Sequence, residues 1–83
     1  MKEFIEYLVK QIVTLPDNVL ISQSKEGNDD VYKIKVANSD MGIIIGKEGR
    51  TIKSLRNLAK AKAIVDNQRI SVILEDDQRD DQI

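Results

Sequence analysis

The chain has no cysteine, no histidine and no tryptophan, and its 83 residues include one proline, four glycines and three aromatic side chains. Without cysteine there is no disulfide framework and no thiolate metal site, and without histidine the commonest remaining transition-metal ligand is missing. The absence of disulfides fits a reducing compartment. No uninterrupted apolar run approaches the roughly 18 residues that suggest a membrane span. The first residues, Met1-Lys2-Glu3-Phe4-Ile5-Glu6, place acids inside the first apolar stretch, where a signal peptide would have a basic region followed by an apolar one. The expectation is a cytoplasmic protein with no membrane association, no metal and no cofactor.

What is present is a globular composition, 41% hydrophobic and 33% charged. At this length one compact domain is expected, with no room for a second. Phe4, Ile5, Leu8, Val9, Ile12, Val13 and Leu15 recur at three- and four-residue spacing and predict an amphipathic helix over 4–15, ended by Pro16-Asp17-Asn18. Val19–Ser24 and Val31–Ala37 read as strands, and Glu26-Gly27-Asn28-Asp29-Asp30 between them as the turn of a hairpin. In the second strand Tyr32, Ile34 and Val36 alternate with Val31, Lys33 and Lys35, so the sheet should be covered on one face only.

Ser39 or Asp40 can cap a short helix over 41–45, in which Met41, Ile44 and Ile45 have core spacing, and Gly46 stops it. A longer helix follows over 51–65 on the repeat Ile52, Leu55, Leu58, Ala59, Lys62, Ala63. Asp66-Asn67-Gln68 turns the chain into a third strand, 69–75, with Ile70, Val72 and Leu74 on one face. The predicted class is α+β in the order α-β-β-α-α-β, a three-stranded sheet packed on helices on one face. Residues 76–83 have no periodicity and almost no apolar content, and are expected to form a disordered acidic tail behind a domain spanning 1–75. From Glu75 to Ile83 there are five acids and one base, net −4 out of −1 for the whole chain, which leaves +3 on residues 1–74.

The positive charge is concentrated. Lys47, Arg50, Lys53, Arg56, Lys60 and Lys62 stand against the single acid Glu48, so 47–62 carries +5, a footprint for polyanions. Lys53, Arg56 and Lys60 share one helical face and Ile52, Leu55 and Ala59 another. A basic helical face by itself commonly serves solubility. Here it adjoins Gly46-Lys47-Glu48-Gly49, where backbone N–H groups and the positive end of the second helix can meet a phosphate, and where a Cβ at either glycine would obstruct close approach or strain the turn.

A bare G-x-x-G also suits a tight corner between helices, but its context is more specific. The segment Ile44-Ile45-Gly46-Lys47-Glu48-Gly49-Arg50-Thr51-Ile52 matches the KH signature I-I-G-x-x-G-x-x-I at every defined position. The element order resembles the type II KH arrangement, and the chain through about Glu75 is similar to the small bacterial single-domain KH proteins of the KhpA family. The resemblance implies single-stranded RNA binding, with the loop clamping the backbone of about four nucleotides and their bases in an apolar groove. It further implies an RNA-chaperone or post-transcriptional regulatory role, a second KH protein of the KhpB/Jag type as partner, and an influence on cell-wall growth and cell shape; a homodimer is compatible with RNA binding.

On these grounds the candidate RNA-binding residues are Gly46, Lys47, Glu48, Gly49, Arg50, Lys53 and Ile45. Arg56, Lys33 and Lys35 come next as backbone-tracking cations, and Ile43 and Val36 join Ile45 as groove lining. Glu48 is discordant, because an acid facing phosphate weakens attraction. An enzyme is not expected: Gly42 to Gly46 has three residues between its glycines where the P-loop of nucleoside triphosphatases needs four, Glu48 follows the lysine where Ser or Thr is required, and catalysis would fall to carboxylates or lysines. The alternative reading is a protein-interaction or dimerisation adaptor on a KH fold with little RNA affinity, using an exposed Ile43.

Overall fold

The computed structural model describes residues 1–75. Its elements are α1 (Lys2–Lys10), β1 (Leu20–Glu26), β2 (Asp29–Lys35), α2 (Met41–Ile45), α3 (Arg50–Val65) and β3 (Ile70–Leu74), with 3₁₀ turns at Pro16–Asn18, Asn38–Asp40 and Lys47–Gly49. The order α-β-β-α-α-β is the expected one. The acidic segment 76–83 lies outside the described residues. Among those residues no helix is long and apolar enough to cross a membrane.

The sheet has the order β1-β2-β3. Glu26 pairs with Asp29 across the two-residue turn Gly27-Asn28, so the hairpin is tighter than the five-residue cluster in the sequence suggested. β2 and β3 are parallel, and the long connection through α2 and α3 supplies the crossover that a parallel pair needs, with Tyr32 opposite Val72 and Ile34 opposite Leu74. Ile21, Tyr32, Ile34 and Val72 point to the helices and meet Ile5 and Val9 of α1, Met41 and Ile44 of α2, and Ile52, Leu55 and Ala59 of α3 in one buried cluster. A helical layer therefore lies on one face of the sheet, and burial of this apolar area is the main force that holds both layers together.

Four local expectations are corrected. The apolar pattern runs to Leu15 but α1 stops at Lys10. Val13 and Thr14 are β-branched, Pro16 disfavours helical geometry at Leu15, and the N–H groups of Thr14 and Leu15 are taken by the Asp40 carboxylate at 3.1 and 3.0 Å. Asp40, expected as a cap of α2, makes no side-chain bond to that helix. Val31, assigned by alternation to the solvent face, is buried, because on the central strand it is flanked by Ser24 on one side and Ser71 on the other. Leu58 is 50% exposed: the buried stripe of α3 is Ile52, Leu55, Ala59 and Ala63, whose small members let the helix approach the sheet, and Leu58 falls beside it.

Candidate nucleic-acid interface

The loop between α2 and α3 is built from backbone conformations that few side chains tolerate. Gly46 has φ +76° and Gly49 φ +74°, and between them Glu48 also lies at positive φ, +59°. The two glycines are needed for different reasons. A Cβ on Gly46 would stand 2.7 Å from the Cβ and 2.8 Å from the backbone nitrogen of Thr51, whereas a Cβ on Gly49 would meet open space and suffer only from its left-handed φ. Gly46 thus lets the loop fold tightly onto the first turn of α3.

The loop also decides which N–H groups are left without a backbone partner. Gly46 N–H closes α2 on Gly42 O at 2.9 Å, Gly49 N–H returns to Gly46 O at 3.2 Å, and Arg50 N–H donates to Lys47 O. Lys47 and Glu48 donate their N–H groups to no other backbone group among the described residues. Donors without a backbone partner are therefore available in the loop itself as well as in the first turn of α3, whose positive end stands behind it.

Around this point Lys47, Arg50 and Lys53 are exposed. Arg50 Nη2 lies 3.4 Å from Glu48 Oε1, both side chains largely in solvent, so the discordant acid partly masks one of the cations. Of the expected groove residues, Ile43 and Ile45 are 39% and 40% exposed on α2, next to the loop. Val36 is buried in the core between β2 and the turn leading to α2, and the cleft it borders is a different one, which contains neither the loop nor α3. Lys33 is exposed on the helix-free face of the sheet, apart from the loop, and Lys35 is half-buried.

Arg56 is drawn away from the simple role of phosphate cation. Its Nε donates to the carbonyl of Val72 at 3.0 Å and ties α3 to β3. No local signal in the sequence names that partner. A separate cleft, with Asp17, Leu20, Lys35 and Val36 in its lining, shares no residue with the loop or with α3 and is not part of this interface.

The sequence matches the family model described as KhpA/KhpB, KH domain, over residues 2–80. It is 44% identical over 72 residues to the RNA-binding protein KhpA of Chlamydia trachomatis, an alignment covering 87% of this chain and 92% of the relative. It is 39% identical over 72 residues to the RNA-binding protein KhpA of Clostridium acetobutylicum, covering 87% and 96%. With that of Thermotoga maritima it shares 44% identity over 61 residues, covering 74% and 81%. The glycine loop, the parallel β2–β3 pairing across two helices and these relationships agree: the chain belongs to the KhpA/KhpB KH-domain family.

Proposed function

We propose that this protein binds single-stranded RNA, with the Gly46–Gly49 loop as a clamp on the phosphate backbone and Ile45, Lys47, Glu48, Arg50 and Lys53 around the strand. The observation that carries this reading is the exposed loop in which two N–H groups without a backbone partner, at Lys47 and Glu48, stand before the positive end of α3 and beside three exposed cations. The relatives, which carry the name RNA-binding protein, support it. Only three aromatic side chains are present, so bases would be held by aliphatic contact and hydrogen bonds instead of a stacking platform.

In the cell the same activity would make it a cytoplasmic RNA chaperone or post-transcriptional regulator, working with a second KH protein of the KhpB/Jag type, with its output in cell-wall growth and cell shape. It is a binding protein in this reading and not an enzyme.

The test replaces both loop side chains, Lys47→Asp with Glu48→Asp, and keeps both glycines. Aspartate tolerates the positive φ at position 48, and surface changes of this kind shift stability within about 0.5 kcal/mol. RNA affinity measured by fluorescence anisotropy should fall at least about tenfold, which requires only about 1.4 kcal/mol, while circular dichroism reports an intact fold. The wild-type protein should lose affinity with salt at a slope near −0.7 per phosphate, for about two to four phosphates. Full affinity in a folded double variant would remove the loop clamp, and a wild type that binds no RNA would leave the adaptor reading standing.

A further inference from the structure

α2 carries the glycine loop at its end. Of its five residues, Met41–Ile45, only Met41 and Ile44 are buried, and Gly46 follows directly. Two buried side chains three positions apart make one stripe, which sets how deep the helix lies but leaves tilting, and rolling about its axis, weakly opposed. Either motion would carry with it the loop and the exposed Ile43 and Ile45. From Asp40 to Gly46 a helix rises about 9 Å, so a tilt of about 10° moves the loop by roughly 1.5 Å, about three times the tolerance of a binding site.

Asp40 stands at the other end of α2. An aspartate there ordinarily caps the helix that follows, yet its carboxylate makes no bond to α2. One oxygen accepts from both the hydroxyl and the N–H of Thr14, and the other from the N–H of Leu15, in the linker between α1 and β1. Bonds to two oxygens from two residues resist displacement in more than one direction. The first turn of α2 goes without a side-chain cap while its start is bound to a distant segment, so what Asp40 supplies is position. At the loop end Gly46 lies so close to Thr51 that a Cβ has no room. Between these two contacts α2 acts as a strut that transmits the place of its start to the loop.

We infer that Asp40 is a positioning residue of the RNA site: tied to Thr14 and Leu15, it fixes through α2 where the Gly46–Gly49 loop and Ile45 stand. This rests on the RNA reading above. Asp40 is itself buried and meets no strand, so its effect on binding passes through α2. Thr14, on a linker far from the loop in sequence, is the second half of the same device.

The test measures affinity for a fluorescence-labelled single-stranded RNA octamer of randomised sequence, at a temperature where urea unfolding shows each variant fully folded. Under that condition a tie that only adds stability leaves affinity unmoved. Asp40→Asn keeps the shape but sets an amide N–H against N–H and O–H donors. It should weaken binding about fivefold, within the about two- to thirtyfold range of substitutions that act on a distant site through packed intermediates. Thr14→Val removes the hydroxyl and should weaken binding in the same direction; Thr14→Ser keeps the hydroxyl and should hold wild-type affinity. Thr14→Val added to Asp40→Asn should bring no further loss, as expected of two groups in one contact. Ile5→Val, a core change on α1, should lower stability and leave affinity unchanged. In amide NMR spectra of folded Asp40→Asn the signals of Gly46 and Gly49 should move, while that of Gly27 in the hairpin turn stays in place. Wild-type affinity in folded Asp40→Asn, or an equal loss in Ile5→Val, would overturn the inference and leave the RNA reading intact. No binding of any RNA by the wild type would overturn both. Should Asp40→Asn fail to fold, the contrast between Thr14→Val and Thr14→Ser decides.

Discussion

The carboxylate of Asp40 accepts a 2.7 Å hydrogen bond from the hydroxyl of Thr14, 26 residues away, together with the N–H groups of Thr14 and Leu15. Asp40 is 1% exposed and is the one buried charged residue among the described residues. The Thr14 hydroxyl first, then the two N–H groups, hold its carboxyl below the ordinary range, against the burial that pushes it up. Asp40→Asn should lower the melting temperature by on the order of 10 °C at pH 7.

The same site makes a prediction about acid. A depressed folded-state value means that the carboxylate contributes stability in full above its unfolded value of about 3.9, and that this contribution is lost as pH falls through the folded value. Wild-type stability, followed by urea unfolding, should therefore decline below about pH 4 more steeply than that of Asp40→Asn. Equal acid slopes for the two proteins would show that Asp40 is not held in its ionised form.

The two loop glycines should respond differently to a methyl group. Gly49→Ala meets only the penalty of a left-handed φ, about 1–2 kcal/mol. Gly46→Ala adds an overlap with the side chain and backbone nitrogen of Thr51, which cannot be relieved by rotating a flexible chain end, and should be clearly more destabilising. Thermal melts of the two variants side by side give the order; a milder Gly46→Ala would mean that the loop is looser than its contact with Thr51 indicates.

Glu48 occupies a positive φ that asparagine accepts more readily, and its carboxylate lies against Arg50. Glu48→Asn should keep or slightly raise the melting temperature. By releasing Arg50 and removing an acid from the phosphate path, it should also raise RNA affinity a few-fold at low salt. Weaker binding by this variant would assign the acid a positive role, such as accepting from a base or a ribose hydroxyl.

β3 runs back along α3 toward the loop. Arg56 lies beside Val72, and Glu75 is three residues further on, roughly 10 Å along the strand, which is about the height of the first turn of α3. Asp76, Asp77, Asp80 and Asp81 thus follow a strand end close to the +5 segment. Deleting 76–83 should tighten RNA binding modestly at low ionic strength, by removing competition for the same cations, and leave the melting temperature almost unchanged. Unfolding on truncation would show that the segment belongs to the domain.

The class, the element order and the glycine loop were legible in the sequence because each depends on local rules. Period 3.6 in 52–63, period 2 in 70–74 and two glycines at a helix junction speak for themselves, and so does the density of cations over 47–62. What the tertiary structure alone decided depends on partners far apart in the chain. Asp40 reads as a cap for the helix that follows it, but its oxygens go to Thr14 and Leu15, and this crossing ends α1 five residues before its apolar pattern does. Val31 is buried by strands on either side of it, a neighbourhood that alternation along one strand cannot express. Arg56 counts as one more cation in a basic stripe until the parallel register of β3 puts the carbonyl of Val72 within reach of its Nε. Periodicity records which face of an element is apolar; which groups meet across the fold is set by packing, because a hydrogen bond depends on distance in space and not on separation along the chain.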